Sequence, residues 1–187
     1  MRDDILDAAE AIVRTRGRDH LTVRAVADQT HYGKSTIHSH IGSKDELLDA
    51  LADRVMDRHI RALSALKGGP DDSPDGRFRV TADLIIEAPE LAAAMFGRPR
   101  PIDLVTWSKR WIATFSEQLL ADVNESDEAA LAEALYLSHQ QIVTVIPTIA
   151  ESGDREFGAR MLRGTFQPFT MVTNELEARR RAGADAG

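Results

Sequence analysis

Cysteine is absent from the 187 residues, which excludes disulfides, thiol chemistry and thiolate-bound zinc. No apolar run approaches the roughly 20 residues that a bilayer-spanning helix needs, so no membrane partner is expected. The first ten residues, MRDDILDAAE, are acid-rich and have no apolar signal core, so the expected location is the cytoplasm. Stretches in which β-branched and polar residues alternate over a strand's length are scarce, and strands are not expected. Nucleophile–base pairs are missing too: His139 stands isolated and the carboxylates are scattered, so no enzyme and no cofactor are expected. His31, His38 and His40 are the nearest thing to a metal cluster. However, positions 38 and 40 of one helix point in different directions and no carboxylate stands at ligand spacing, so no metal is expected.

What is present suits a folded, helical chain: 43% hydrophobic and 28% charged residues, with apolar positions recurring every three or four. The net charge of −7 has the wrong sign for nucleic acid, but DNA feels only the face it meets. Between positions 14 and 44 the cations Arg14, Arg16, Arg18, Arg24, Lys34 and Lys44 are opposed only by Asp19 and Asp28. Acids gather after Lys44. This suits a protein that touches DNA with one end.

The periodicity predicts a first helix with Ile5, Leu6, Ala9, Ile12 and Val13 on one face, ended by Gly17. Thr22 is placed to cap a short second helix, and Gly33 a third over Lys34 to His40, with Tyr32 stapled over Ile37. Ser43 and Glu46 form a capping-box pattern at the head of a long helix reaching Leu63. GGPDDSPDG, positions 68 to 76, reads as a linker. Helices are then expected over about Arg77–Glu87, Pro89–Phe96, Ile102–Val123, Ser126–Glu151 and Asp154–Arg181, the last two bent at Pro147 and Pro168.

Two short helices joined by a tight turn make a helix-turn-helix, whose second helix fits the major groove. Lys34 offers a cation to phosphate or guanine, Ser35 and Thr36 offer short hydroxyls, and the Thr36 methyl suits a thymine methyl. Backbone amides at the helix starts near Thr22 and Ser43 suit phosphates, with Lys44 beside the second. His38 and His40 extend the same segment.

The ungapped run LTVRAVADQTHYGKSTIHSHIGSKDELLDAL, Leu21 to Leu51, resembles the DNA-binding signature of the tetracycline-repressor family. The following LLDALADRVMDRHI resembles that family's connecting helix. The resemblance covers about the first third of the chain. It implies an all-α protein with an N-terminal helix-turn-helix DNA-binding domain (residues 1–46) and a C-terminal helical ligand-binding and dimerisation domain (47–187). It further implies that Arg24, Lys34, Ser35, Thr36, position 38 and Lys44 meet double-stranded operator DNA. Three positions depart from the pattern: His31 replaces the usual turn glycine, His38 a phosphate-contacting tyrosine, and Ile41 an aromatic. The drug-contacting histidine of the tetracycline repressor falls on Ile60, which removes a residue that tetracycline recognition uses.

For the C-terminal half the resemblance implies a small-molecule effector and a homodimer. Met95, Phe96, Trp107, Trp111, Phe115 and Tyr136 are the bulky candidates for a pocket, and His139, Gln140 and Thr144 the polar ones. Simple core packing for the aromatics and a solvent face for the polar residues is the alternative. Leu131, Leu135, Ile142, Ile146 and Ile149 form one apolar stripe, and Phe157, Met161, Phe169, Val172 and Leu176 another, both expected at the dimer interface. The functional expectation is a repressor, released from its operator by a small, largely apolar or aromatic effector. A constitutive DNA-binding or partner-binding module and, more remotely, a helical enzyme are the rivals. An empty aromatic-lined cavity favours the first, a filled core the second, and a buried His–carboxylate pair the third.

Overall fold

A computed structural model of the chain describes residues 1–96, 110, 111, 113, 114 and 123–184. Among these residues every regular element is helical. Helix α1 spans Arg2–Arg16, a 3₁₀ turn Arg18–His20, α2 Val23–Gln29, α3 Lys34–His40 and α4 Lys44–Ser64. Then follow α5 (Pro74–Glu87), α6 (Pro89–Phe96), α7 (Glu125–Ser152), α8 (Arg155–Thr165) and α9 (Gln167–Ala184).

The first four helices follow from local chemistry. Helix α1 buries Ile5, Leu6, Ala9, Ile12 and Val13 and ends where the Gly17 N–H bonds the Val13 carbonyl. Thr22 Oγ1 accepts from the Ala25 N–H at 3.0 Å and starts α2. At the head of α4, Ser43 Oγ accepts from the Glu46 N–H at 3.3 Å while the Ser43 N–H donates to Glu46 Oε2 at 2.8 Å. That reciprocal pair satisfies two donors the helix would leave open. The preceding Gly42 has φ +100, and a Cβ there would lie 2.1 Å from the same Glu46 carboxylate oxygen. Only glycine lets the chain turn this tightly from α3 into α4. Tyr32 also reaches beyond its own helix, its hydroxyl donating to Asp4 of α1 at 2.6 Å. His31 needs no left-handed backbone, since no described non-glycine residue has positive φ.

Helix α4 buries Leu47, Leu48, Leu51, Val55, Met56 and Leu63 along one stripe. Each such side chain contributes about 1.5–3 kcal/mol on leaving water. Polar ties add direction on the flank facing α1: Arg58 donates to Glu10 at 3.0 and 3.2 Å, and Arg54 bonds Asp7 and the Asp3 carbonyl. Burial opposes the Glu10 charge, but Arg58 and Arg14 outweigh it and hold its pKa below the usual carboxylate range. Helix α6 packs against α1, the 3₁₀ turn, α4, α5 and α7, so it touches both halves of the chain. One apolar core runs from Ile5 to Phe169.

Four expectations change. The 68–76 linker is a closed turn: the Gly68 N–H donates to Asp72 Oδ2 at 2.9 Å, and α5 already starts at Pro74, capped by Ser73. Proline at the first helical position carries no N–H to satisfy, so it initiates the helix there. Ala113 and Thr114 form a turn, so the helix expected over Ile102–Val123 does not run unbroken; most of it lies outside the described residues. The helix expected over Asp154–Arg181 is two helices, broken at Phe166, because Pro168 cannot bond back to residue 164 and crowds its carbonyl. Finally, Leu131, Leu135, Ile142, Ile146 and Ile149 are all buried within the single chain, as is Phe169. These positions pack α7 against α6, α8 and α9 instead of offering an interface to a second copy.

Candidate functional site

The N-terminal head holds α3 by its inner side. Ile37 is fully buried and Ile41 nearly so, while Lys34, Ser35, His38, Ser39 and His40 are exposed and Thr36 is half-buried. At about 100° per residue, Ser35 and Ser39 lie opposite Ile37, with His38 beside them and Lys34 at the edge of that outward face. His40 is turned about 200° from His38, onto the flank where its carbonyl accepts from Arg2 at 3.3 Å. No group of three potential metal ligands exists among the described residues. Ser39, absent from the sequence candidates, sits on the outward face with its hydroxyl donating to the Thr36 carbonyl at 2.9 Å.

The flanking cations differ in how committed they are. Arg24 is 77% exposed and lies 3.9 Å from Asp28, a contact too long and too wet to hold it. Lys44 Nζ donates to the Asp19 carbonyl at 3.4 Å, which draws the 3₁₀ turn toward the α4 N-terminus. Thr22 is exposed, and its hydroxyl still has a proton to donate after accepting from Ala25. Arg14 is taken by Glu10 at 3.1 Å, so it adds less to the basic face than its charge suggests.

The other candidate site is interior. His59, Thr81, Phe96, Trp111, Leu135, Ser138, His139, Ile142 and Phe166 surround a narrow cavity with room for about one water molecule. Trp111 is held edge-on to Phe169 with ring centres 4.5 Å apart, and Phe96 lies 5.3 Å from the His139 ring. Burial alone lowers the His59 pKa to about 4 and lowers that of His139, so both rings are neutral at pH 7. The wall carrying Trp111 is anchored twice. Arg110 pairs with Asp57 of α4 at 2.5 Å, and the fully buried Arg77 donates to Thr114 Oγ1 at 2.6 Å, to the Thr114 carbonyl at 2.8 Å and to Asp72 at 2.5 Å.

Of the sequence candidates, the structure brings Phe96, Trp111 and His139 together here. Tyr136, Gln140 and Thr144 do not join them: all three are exposed on the opposite side of α7, and Gln140 and Thr144 line an open groove beside α8. The spacing rule explains the split, since positions 136, 140 and 144 repeat every four residues and 135, 138, 139 and 142 hold the inner stripe. Trp107, Phe115 and the Met95 side chain lie outside the described residues. His59, Thr81, Ser138 and Phe166 were missing from the candidates. The signal for His59 was its place beside Ile60 on the connecting helix; for Ser138 it was a small polar residue within an apolar stripe.

Residues 5–51 match the model of the bacterial regulatory proteins, tetR family. Over those residues the chain is similar to the tetR family. It is 36% identical over 58 residues to the tetracycline repressor proteins of class D from Escherichia coli and class H from Photobacterium damsela subsp. piscicida. That match takes in 31% of this chain and spans only 27% of each relative's length. A solved TetR transcriptional regulator from Streptomyces coelicolor superposes with a TM-score of 0.60 at 20% identity, covering 93% of this chain and 98% of that one. The tetR-family likeness in sequence is thus confined to the N-terminal head and the start of α4, while the likeness in fold extends over nearly the whole length.

Proposed function

We propose that the chain is a DNA-binding transcriptional regulator that reads an operator with α3 and works as a homodimer. The observation that carries this reading is the α2–turn–α3 pair, which buries Val26 and Ile37 and turns Lys34, Ser35 and His38 outward with Thr36 on the flank. Arg24 and Thr36 are the base-reading candidates. Thr22, Lys34, Ser35, His38, His40 and Lys44 would hold the phosphate backbone or the groove edge. A second copy would dock on the outer side of α7 and α9, where Tyr136, Leu137, Val143 and Met171 remain exposed. Selection from a random duplex library tests this. Enrichment of an inverted repeat, its halves about one helical turn apart, is the expected result. A library that returns no enriched sequence overturns it.

We further propose release by a small, largely apolar or aromatic effector that enters between α4, α6 and α7. Helix α4 starts at the Lys44 phosphate seat and contributes His59 to the cavity, so a ligand that prefers one tilt of α4 changes the spacing of the two α3 helices in a dimer. A constitutive regulator is the second reading. The narrowness of the described cavity supports it, because a nearly filled core leaves little for a ligand to occupy. No described lining residue is a carboxylate, so a buried His–carboxylate pair, the mark of the enzyme reading, is not formed among them.

A further inference from the structure

The interior cavity has an unusual polar inventory, and it deepens the effector reading on which this inference rests. Ser138 is buried to 1% exposure on α7, and its Oγ makes no hydrogen bond among the described residues. A serine in a helix ordinarily bonds back to a carbonyl one turn earlier. Thr81 does this, donating to the Arg77 carbonyl at 3.0 Å. With its only proton spent there, the 3.3 Å contact between Thr81 Oγ1 and His59 Nε2 must be a donation from the imidazole. The His59 ring, held neutral by burial, therefore carries its proton on Nε2. Around these groups stand Phe96, Trp111 and Phe166, and none of the described lining residues is a carboxylate, ammonium or guanidinium.

An ion entering this space would shed its water and meet no counter-charge, which costs more than a few neutral hydrogen bonds return. A purely apolar guest would leave the Ser138 hydroxyl as unsatisfied as before. We propose that the cavity takes a compact, uncharged aromatic molecule with one hydroxyl or carbonyl group, whose polar end bonds Ser138 Oγ while its ring displaces the aromatic wall. The wall must give way, because the resting space holds only about one water. Thr81 and His59 already satisfy one another, so they shape the pocket floor and Ser138 supplies the hydrogen bond that selects.

Calorimetric titration of the full chain at neutral pH with phenol, toluene, benzoate and benzylammonium tests the class. Phenol should bind about 3- to 10-fold more tightly than toluene, the return of one neutral hydrogen bond. Benzoate and benzylammonium should bind at least about a hundredfold more weakly than phenol. Ser138→Ala should make phenol and toluene equal, and a thermal melt reports that the variant is folded. Ser138→Cys, close in size and a weaker partner, serves if alanine fails to fold and should narrow the preference in the same sense. Absence of phenol binding at millimolar concentration overturns the proposal, as does benzoate binding as tightly as phenol, or a phenol preference that survives at Ser138→Ala. Release of DNA is scored separately. Ser138-dependent phenol binding without release leaves the ligand class standing and removes the effector role; release by benzoate alone does the reverse.

Discussion

Lys44 and Arg24 flank the outward face of α3 but are built for different work. Lys44 sits at a capped helix N-terminus, where amide donors and the helix dipole already favour an anion. Lys44→Ala should weaken binding almost equally on every sequence and lower the slope of log affinity against log salt by about one. Among the described residues Arg24 has only its wet contact with Asp28, so Arg24→Ala should leave stability within about 0.5 kcal/mol. On the operator Arg24→Ala and Thr36→Ala should each cost about 1–3 kcal/mol, with little loss on random DNA. Anisotropy titrations over a salt series separate the two behaviours, and equal losses on both DNAs would make Arg24 and Thr36 backbone contacts.

His59 makes a second prediction at the residue scale. Its pKa is about 4 when folded, against an ordinary 6.5. Between those values the unfolded chain binds the extra proton, so stability is complete above pH 6.5 and falls as the solution is acidified toward pH 4. The loss from this one residue is about 3 kcal/mol across that window. His139, also lowered by burial, acts in the same direction. Urea midpoints measured over the window should drop steadily for the parent and more shallowly for His59→Phe; parallel curves would show that the ring is not held neutral.

Among the elements, the turn between α4 and α5 holds more than its composition suggests. Asp72 accepts from Gly68, seats the Arg77 guanidinium and thereby fixes Thr114, three residues beyond Trp111. Removing one partner of a buried ion pair strands the other charge, typically at a cost of about 3–5 kcal/mol. Arg77→Ala should therefore lower the urea midpoint by that much. A hydrophobic isostere that fills the space, Arg77→Met with Asp72→Leu, should recover most of it. If the single variant melts like the parent, the anchor carries no stability. Composition misleads here because Gly, Pro and Asp signal a solvated loop only where no buried cation recruits them.

At the scale of the whole molecule, α4 and α6 both join the head to the cavity: α4 through His59, α6 through Phe96 at one end and its packing on α1 at the other. A ligand that favours one arrangement of these helices by about 1–3 kcal/mol would lower operator affinity roughly 5- to 150-fold, and DNA must weaken ligand binding by the same factor. Titrating ligand with and without operator, and operator with and without ligand, measures both sides of that cycle. Tryptophan fluorescence should follow binding, and Trp111→Phe should remove the part of the signal that arises in the cavity. Ligand binding that leaves operator affinity unchanged would assign the chain to the constitutive reading.

The head was legible because its determinants are local. Caps lie within three residues of the groups they satisfy, as at Thr22 and Ser43, and apolar spacing of three and four marks Ile37 and Leu47–Val55 as inward without knowledge of the rest. A match over residues 5–51 follows from the same compactness. Which aromatic and polar residues of the C-terminal half converge was not written at that range. Periodicity says that Leu135 and Tyr136 face different ways, but only packing against α6, α8 and α9 decides which face is the inside. The expected dimer stripe on α7 therefore became core, and Tyr136, Gln140 and Thr144 came to lie outside. Likewise no spacing could place Ser138 and Thr81, 57 positions apart, around one cavity, or set Arg77 beneath Thr114. Local hydrogen bonds and helical period are properties of a few neighbouring residues, whereas convergence depends on the angles at which whole helices cross.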